Sequence, residues 1–234
     1  LDVTNIAARF APHAMLAEPL LRALDPHGTD GSHDLSHLLR VWTNAMAIAR
    51  TEPGCDRALL AAAVILHDCV VVEKDSPLRA QASRLSAARA RELLAAQGWE
   101  GERLDALAHA IESHSFSAAI EPRTLEACIL QDADRLDAIG AIGVARCFYT
   151  GGRMGSALYD PADPAAVVRP LDDRRFALDH FAAKLFRVAD GFRTRAGMAM
   201  AAERTAVMRA FVAAFQAEIA PEGPTPQRRM PWEE

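Results

Sequence analysis

Lysine is almost missing from this chain. It occurs only at positions 74 and 184, and the other cations are scattered arginines in a chain of net charge −5. There is no basic stripe and no alternation of aromatic with basic residues, which argues against an extended nucleic-acid surface. A single nucleotide needs only a local basic pocket and stays open. β-branched runs are also scarce. "CVVVE" at 69–73 is the clearest, so a sheet has little to build from. The four cysteines, Cys55, Cys69, Cys128 and Cys147, form no C-x-x-C pair and read as reduced packing residues of a cytoplasmic protein. No secretory pattern opens the chain, and no apolar run is long enough to span a bilayer.

Alanine and leucine are what the chain has in quantity. Half of the 234 residues are apolar, enough for a sizeable core, and the Ala/Leu bias favours helix because these side chains lose little rotamer entropy there. The fold class is therefore expected to be all-α. Helical spacing predicts helices over 5–24, 33–51, 57–68, 80–97, 101–114, 125–149, 173–190 and 194–219. Turn-rich "DPHGTDGS" fills 25–32, with Ser32 or Asp30 able to cap the next helix, and Asp56 can cap the one from 57. Helix 57–68 is apolar all round and should be central. The Gly-, Pro- and Asp-rich stretch 150–175 is long enough for a lid or a binding segment. With no repeat and no second core, residues 1–220 read as one domain and 221–234 as a flexible tail.

Some polar residues do not suit a core. "ALLAAAVILHD" carries His67 and Asp68 to the end of the most apolar helix. An ionised carboxylate in such a place costs several kcal/mol unless it is paired or bound to a cation. The last turn of a helix also presents its negative end, which favours a cation. In the helix over 33–51, His37, Arg40, Val41 and Asn44 share one face, with His33 a turn earlier. H-x-x-x-H without a third ligand is a weak metal signal, and a solvated polar face is the better explanation of it alone. "QDADRLDAIG" at 131–140 places Asp132, Asp134 and Asp137 in a largely apolar helix. Asp132 falls on the face of Ile129 and Leu136, Asp134 on that of Leu130 and Ala138. Periodicity does not choose between them, but buried carboxylates need partners.

In this order, H…HD…D resembles the HD-domain metal-dependent phosphohydrolases, most of all the small bacterial YedJ/YpgQ-like group. The resemblance rests on "SHDLSHLLRV", "ILHDCV", "HAIESHSFS", "QDADRLDAIGAIGVAR" and "RPLDDRRFALDHFAAKL", and runs from about residue 30 to about 215. It implies an HD-type helical bundle holding one divalent ion, with Mn²⁺, Mg²⁺, Ni²⁺, Co²⁺ and Fe²⁺ all suited to two imidazoles and two carboxylates. The implied ligands are His37, His67, Asp68 and Asp134, with Asp132 as the rival for the fourth place. Related groups carry catalytic acidic or amide residues just after the doublet. Here those positions are Val71, Val72 and Glu73, which leaves Glu73 and nearby Asp75 as catalytic candidates. Arg40, Lys74, His114, Arg135 and Lys184 are candidates for substrate phosphate, His109 less so, and a second ion on His109 and His114 is a further option. The implied activity is nucleotide hydrolysis, first as a (d)NTP pyrophosphohydrolase. Alternatives are a 5′-nucleotidase, a cyclic-nucleotide phosphodiesterase, or a regulatory module that binds nucleotide without turnover. The partner is a small-molecule nucleotide, and there is room for a homodimer.

Overall fold

The computed structural model describes residues 2–24, 35–72, 79–115 and 118–220. Among these there is helix and no strand; a lone parallel bridge joins Ala157 and Phe176. Predicted helix 5–24 is two helices, α1 (Val3–Ala8) and α2 (Ala14–Arg22). Pro12 lies in the break, where its missing N–H ends the ladder. Next come α3 (Leu35–Ala49), α4 (Arg57–Leu66), α5 (Ala82–Ala95) and α6 (Gly101–His114). The predicted helix over 125–149 is also divided, into α7 (Leu125–Asp137) and α8 (Gly140–Met154). Gly140 has φ +74°, which an L side chain rarely adopts and which turns the chain between them.

The described residues form two compact units. The first comprises residues up to Arg135 together with Arg193–Gly197. At its centre is α4, packed against α2, α3, α5 and α6, with every residue from Leu59 to Leu66 buried. That is the outcome expected of a helix apolar on all sides. Its start is fixed by Asp56, whose Oδ1 accepts from the N–H groups of Ala58 and Leu59, and Glu126 Oε1 accepts the Asp56 N–H at 2.7 Å. Phe10 stacks on Trp42 at 5.0 Å, and the indole N–H is satisfied by the Arg9 carbonyl. Asn44, on the polar face seen in the sequence, is buried and donates to the Ala133 carbonyl, tying α3 to α7.

The second unit comprises Leu136–Phe192 and the chain from Met198 onward. Its core is aromatic: Phe148, Phe181, Phe211 and Phe215 lie with ring centroids 5.7–6.1 Å apart. The segment after α8 is held by buried Asp179, which accepts both terminal nitrogens of Arg169 and the Asp172 N–H. These bonds, with the 157–176 bridge, occupy the start of predicted helix 173–190. Helical structure begins only at residues 179–180, then runs through a π turn at Phe181–Leu185, α9 (Phe186–Val188) and a 3₁₀ turn at Ala189–Gly191. The final helix, α10 (Arg195–Ile219), starts in the first unit and continues in the second. No helix among the described residues is long and apolar enough to cross a membrane.

Candidate metal centre

Burial determines the chemistry of His67. It lies one residue past the end of α4, wholly out of solvent, and its Nδ1 is 2.7 Å from the Val64 carbonyl. A carbonyl can only accept, so the ring proton sits on Nδ1 and Nε2 turns its lone pair outward. Burial also lowers the imidazole pKa, against the opposing pull of Asp68 and Asp134, and keeps the ring neutral. Such a histidine is preset as a ligand.

Four other groups gather around that nitrogen. His37 Nε2 is 3.3 Å away, Asp68 Oδ2 3.7 Å and Asp134 Oδ1 3.9 Å. Asp134 Oδ1 is also 3.6 Å from His37 Nε2. The His114 ring packs edge-on to that of His67, and its Nε2 lies 3.5 Å from Asp68 Oδ1. Two overlapping triads result, His37–His67–Asp134 and His67–Asp68–His114, each with its ligand atoms within 4.8 Å of one another. Two nitrogens at about 2.0–2.1 Å from one tetrahedral ion stand roughly 3.4 Å apart, close to the His37–His67 separation. A neutral His37 ring with its proton on Nε2 can also donate to the His67 lone pair across this gap, and the carboxylates of Asp68 and Asp134 beside it add the negative charge that a cation needs. The donor set therefore fits a divalent cation.

The imidazoles of His37, His67 and His114 are buried, while the side chains of Asp68 and Asp134 are 37% and 29% exposed. The cluster is thus closed on its nitrogen side and open at its carboxylates. His114 is fixed like His67, with Nδ1 donating to the Ile111 carbonyl at 2.6 Å. Burial pulls its pKa down, but Asp68, Asp134 and that carbonyl together prevail and push it up to about 9. That proton and a cation compete for the same Asp68 carboxylate.

The three aspartates of α7 go to three different places. Asp132 is fully buried and accepts from the Arg193 N–H (2.8 Å), the Thr194 N–H (2.7 Å) and the Thr194 hydroxyl (2.7 Å). Burial raises its pKa, with the Thr194 and Arg193 donors opposing. Asp134 faces the histidines. Asp137, in the second unit, is buried against Arg146 at 2.7 Å. His109 is a backbone clamp: its Nε2 accepts the Arg123 N–H at 2.9 Å.

The other candidates are more scattered. Arg40, half-buried on α3, donates to Ser36 Oγ. Arg135 follows Asp134 on α7, and burial with the charge of Arg193 lowers its pKa. Lys184 is exposed in the π turn of the second unit. His33, Glu73, Lys74, Asp75, the caps at 30 and 32 and the tail 221–234 lie outside the described residues. Three supporting residues went unassigned from sequence: Asn44, Gln131, which donates to the Ser113 carbonyl beside His114, and Thr194, which anchors to Asp132. Asn44 was marked by its place on the His37 face and Thr194 by a hydroxyl at the start of a predicted helix, but their partners are too distant in the chain to read.

The chain is similar to known proteins over most of its length. The HD domain family model matches residues 34–139. The chain is 33% identical over 191 residues to the Bacillus subtilis (strain 168) protein YpgQ, spanning 80% of this chain and 84% of that one. The crystal structure of B. subtilis YpgQ in complex with ADP has a TM-score of 0.66 and 30% identity, covering 86% of this chain and 97% of the other. A Bacillus thuringiensis HD-superfamily hydrolase has a TM-score of 0.65 and 28% identity, covering 92% and 96%.

Proposed function

Given that the chain belongs to the HD-domain family and is a metal-dependent phosphohydrolase, we propose that it acts on nucleotides as a (d)NTP pyrophosphohydrolase. Water would add to the α-phosphorus, the bridge to the β-phosphate would break, and the products would be a nucleoside monophosphate and pyrophosphate. The observation that carries this is the convergence of His37, Asp68 and Asp134 on the lone pair of His67, open to solvent at the carboxylates. Nucleotide as substrate class is supported by the ADP complex of YpgQ.

His37, His67, Asp68 and Asp134 would hold one divalent ion, Mn²⁺, Mg²⁺, Ni²⁺, Co²⁺ or Fe²⁺. When bound, such an ion polarises a phosphoryl oxygen and acidifies water near neutral pH. The protein does the rest. Asp132 is already committed to three donors, which leaves Asp134 as the carboxylate that α7 offers the histidines. The Val64 carbonyl keeps the His67 proton on Nδ1, away from the ligand side. His114 keeps a proton on Nε2 beside Asp68, within reach of a substrate oxygen there. Arg40 and Arg135 supply positive charge for the phosphates.

The test is a panel of phosphate esters assayed with Mn²⁺. Pyrophosphate released from NTPs or dNTPs is the expected result. Inorganic phosphate from monophosphates alone would replace this reading with a 5′-nucleotidase. Tight nucleotide binding with no product under any divalent ion would leave a regulatory module.

A further inference from the structure

If the substrate is a polyphosphate, as proposed above, the groups beyond the reacting phosphorus need a cationic seat. Gln131, Asp134 and Arg135 stand at i, i+3 and i+4 of α7 and therefore share one helical face. Gln131 is 2% exposed, and both ends of its amide are engaged. Its Nε2 donates to the Ser113 carbonyl at 2.7 Å, and its Oε1 accepts from Arg193 Nε at 3.4 Å. The Arg193 backbone N–H is bound in turn to Asp132 Oδ1. Arg193 is thus tethered at backbone and side chain, one turn from the residue that faces the histidines.

Its guanidinium is nonetheless available. The Arg193 side chain is 42% exposed, and the carboxylate paired with its guanidinium, that of Glu121, is 3.7 Å away and 76% exposed. A pair so open to water contributes little. Arg135 is half-buried on the same α7 face as Gln131, the residue that holds the Arg193 side chain. Guanidinium forks match phosphate oxygens in geometry as well as charge.

From this arrangement we infer that Arg193, with Arg135, seats the phosphate groups of the nucleotide that lie beyond the attacked phosphorus. The Asp134 end of the face would then serve the reacting group and the Gln131 end the leaving pyrophosphate.

The test measures binding of inorganic pyrophosphate by calorimetry to the protein as purified and to Arg193→Ala, Arg193→Lys and Arg195→Ala. Arg195 is exposed and two residues along, so it reports a mere loss of surface charge. Arg193→Ala should weaken binding about tenfold, the worth of one charge-assisted bond, and raise the KM for the triphosphate. Arg193→Lys, which keeps the charge and loses the fork, should fall between, and it decides the matter if the alanine variant does not fold. Equal affinity in wild type and Arg193→Ala, an equal loss in Arg195→Ala, or no binding by the wild type overturns the inference. Arginine-dependent pyrophosphate binding without turnover of any nucleotide would reject the substrate reading and leave the anion seat standing.

Discussion

Thr194 is bound twice by the carboxylate of Asp132. Its N–H and its hydroxyl both donate to Oδ2 at 2.7 Å, and the hydroxyl oxygen then accepts the Gly197 N–H at 3.0 Å. The chain entering α10 is thereby fastened to α7. Two residues further along, Asp134 faces the histidines.

The contrast predicts opposite phenotypes. Asp132→Ala strips buried donors of their acceptor and should cost on the order of 3 kcal/mol of stability while the protein still takes up metal. Asp134→Ala should lose the metal and leave the melting temperature of the metal-free protein nearly unchanged. Thermal melts beside elemental analysis decide; metal lost from a fully stable Asp132→Ala would reverse the two roles.

Asp68 lies between the two buried imidazoles of its triad, 3.7 Å from His67, which both triads share, and 3.5 Å from His114. Asp68→Ala should therefore abolish metal content and turnover together. Chelation followed by Mn²⁺ should restore the wild type and not the variant. Full activity in a metal-free Asp68→Ala protein would remove the basis of the proposed chemistry.

Gly197 has no room for a side chain. A Cβ there would run into the Asp132 carboxylate and sit 2.7 Å from Thr194 Oγ1. Gly197→Ala should cost about 1–3 kcal/mol, as overpacking does. In an Asp132→Ala background much of that penalty should vanish, since the obstructing oxygen is gone. Denaturant melts of the two single variants and the double variant measure the coupling, and strict additivity would contradict this contact.

The cysteines should be inert near neutral pH. Burial pushes the thiol pKa values of Cys55 and Cys147 up to about 12 and that of Cys69 to about 11. The thiolate is the reactive form, and at pH 8 only about one Cys69 in a thousand, and fewer still of the other two, is ionised. Alkylation of the folded protein should be slow and should accelerate about tenfold per pH unit as the pH rises toward those values. Mass spectrometry of iodoacetamide-treated protein reads this directly; rapid labelling of Cys69 at pH 7 would contradict it.

Much of the architecture could be read from residue type and period. The wholly apolar run 58–66 marked α4 as the central helix, and it is central. The boundaries of α6 match the predicted 101–114. Breaks inside good helical pattern were harder. Pro12 was present in the sequence, but the apolar spacing ran across it. The turn between α7 and α8 depends on a positive φ at Gly140, which hydrophobic period does not report. The start of predicted helix 173–190 gave way because Asp179, Arg169 and Asp172 bond to one another, and such pairings are invisible to local propensity.

The sequence by itself determined a helical chain whose buried polar groups required partners, because no apolar run carries a histidine, an aspartate and three further carboxylates inward without a compensating interaction. It also determined, through the order of its motifs, the family to which the chain belongs. Only the tertiary structure decided how the partners were shared out. Asp132 and Asp134 fall on different faces of α7, but both faces are apolar in sequence, so helical phase does not say which carboxylate meets the histidines. What separates them is that one meets the N–H groups of a distant turn and the other meets two imidazoles. The imidazole tautomers follow from the same long-range packing, since a carbonyl beside each Nδ1 leaves Nε2 as the nitrogen turned toward Asp68.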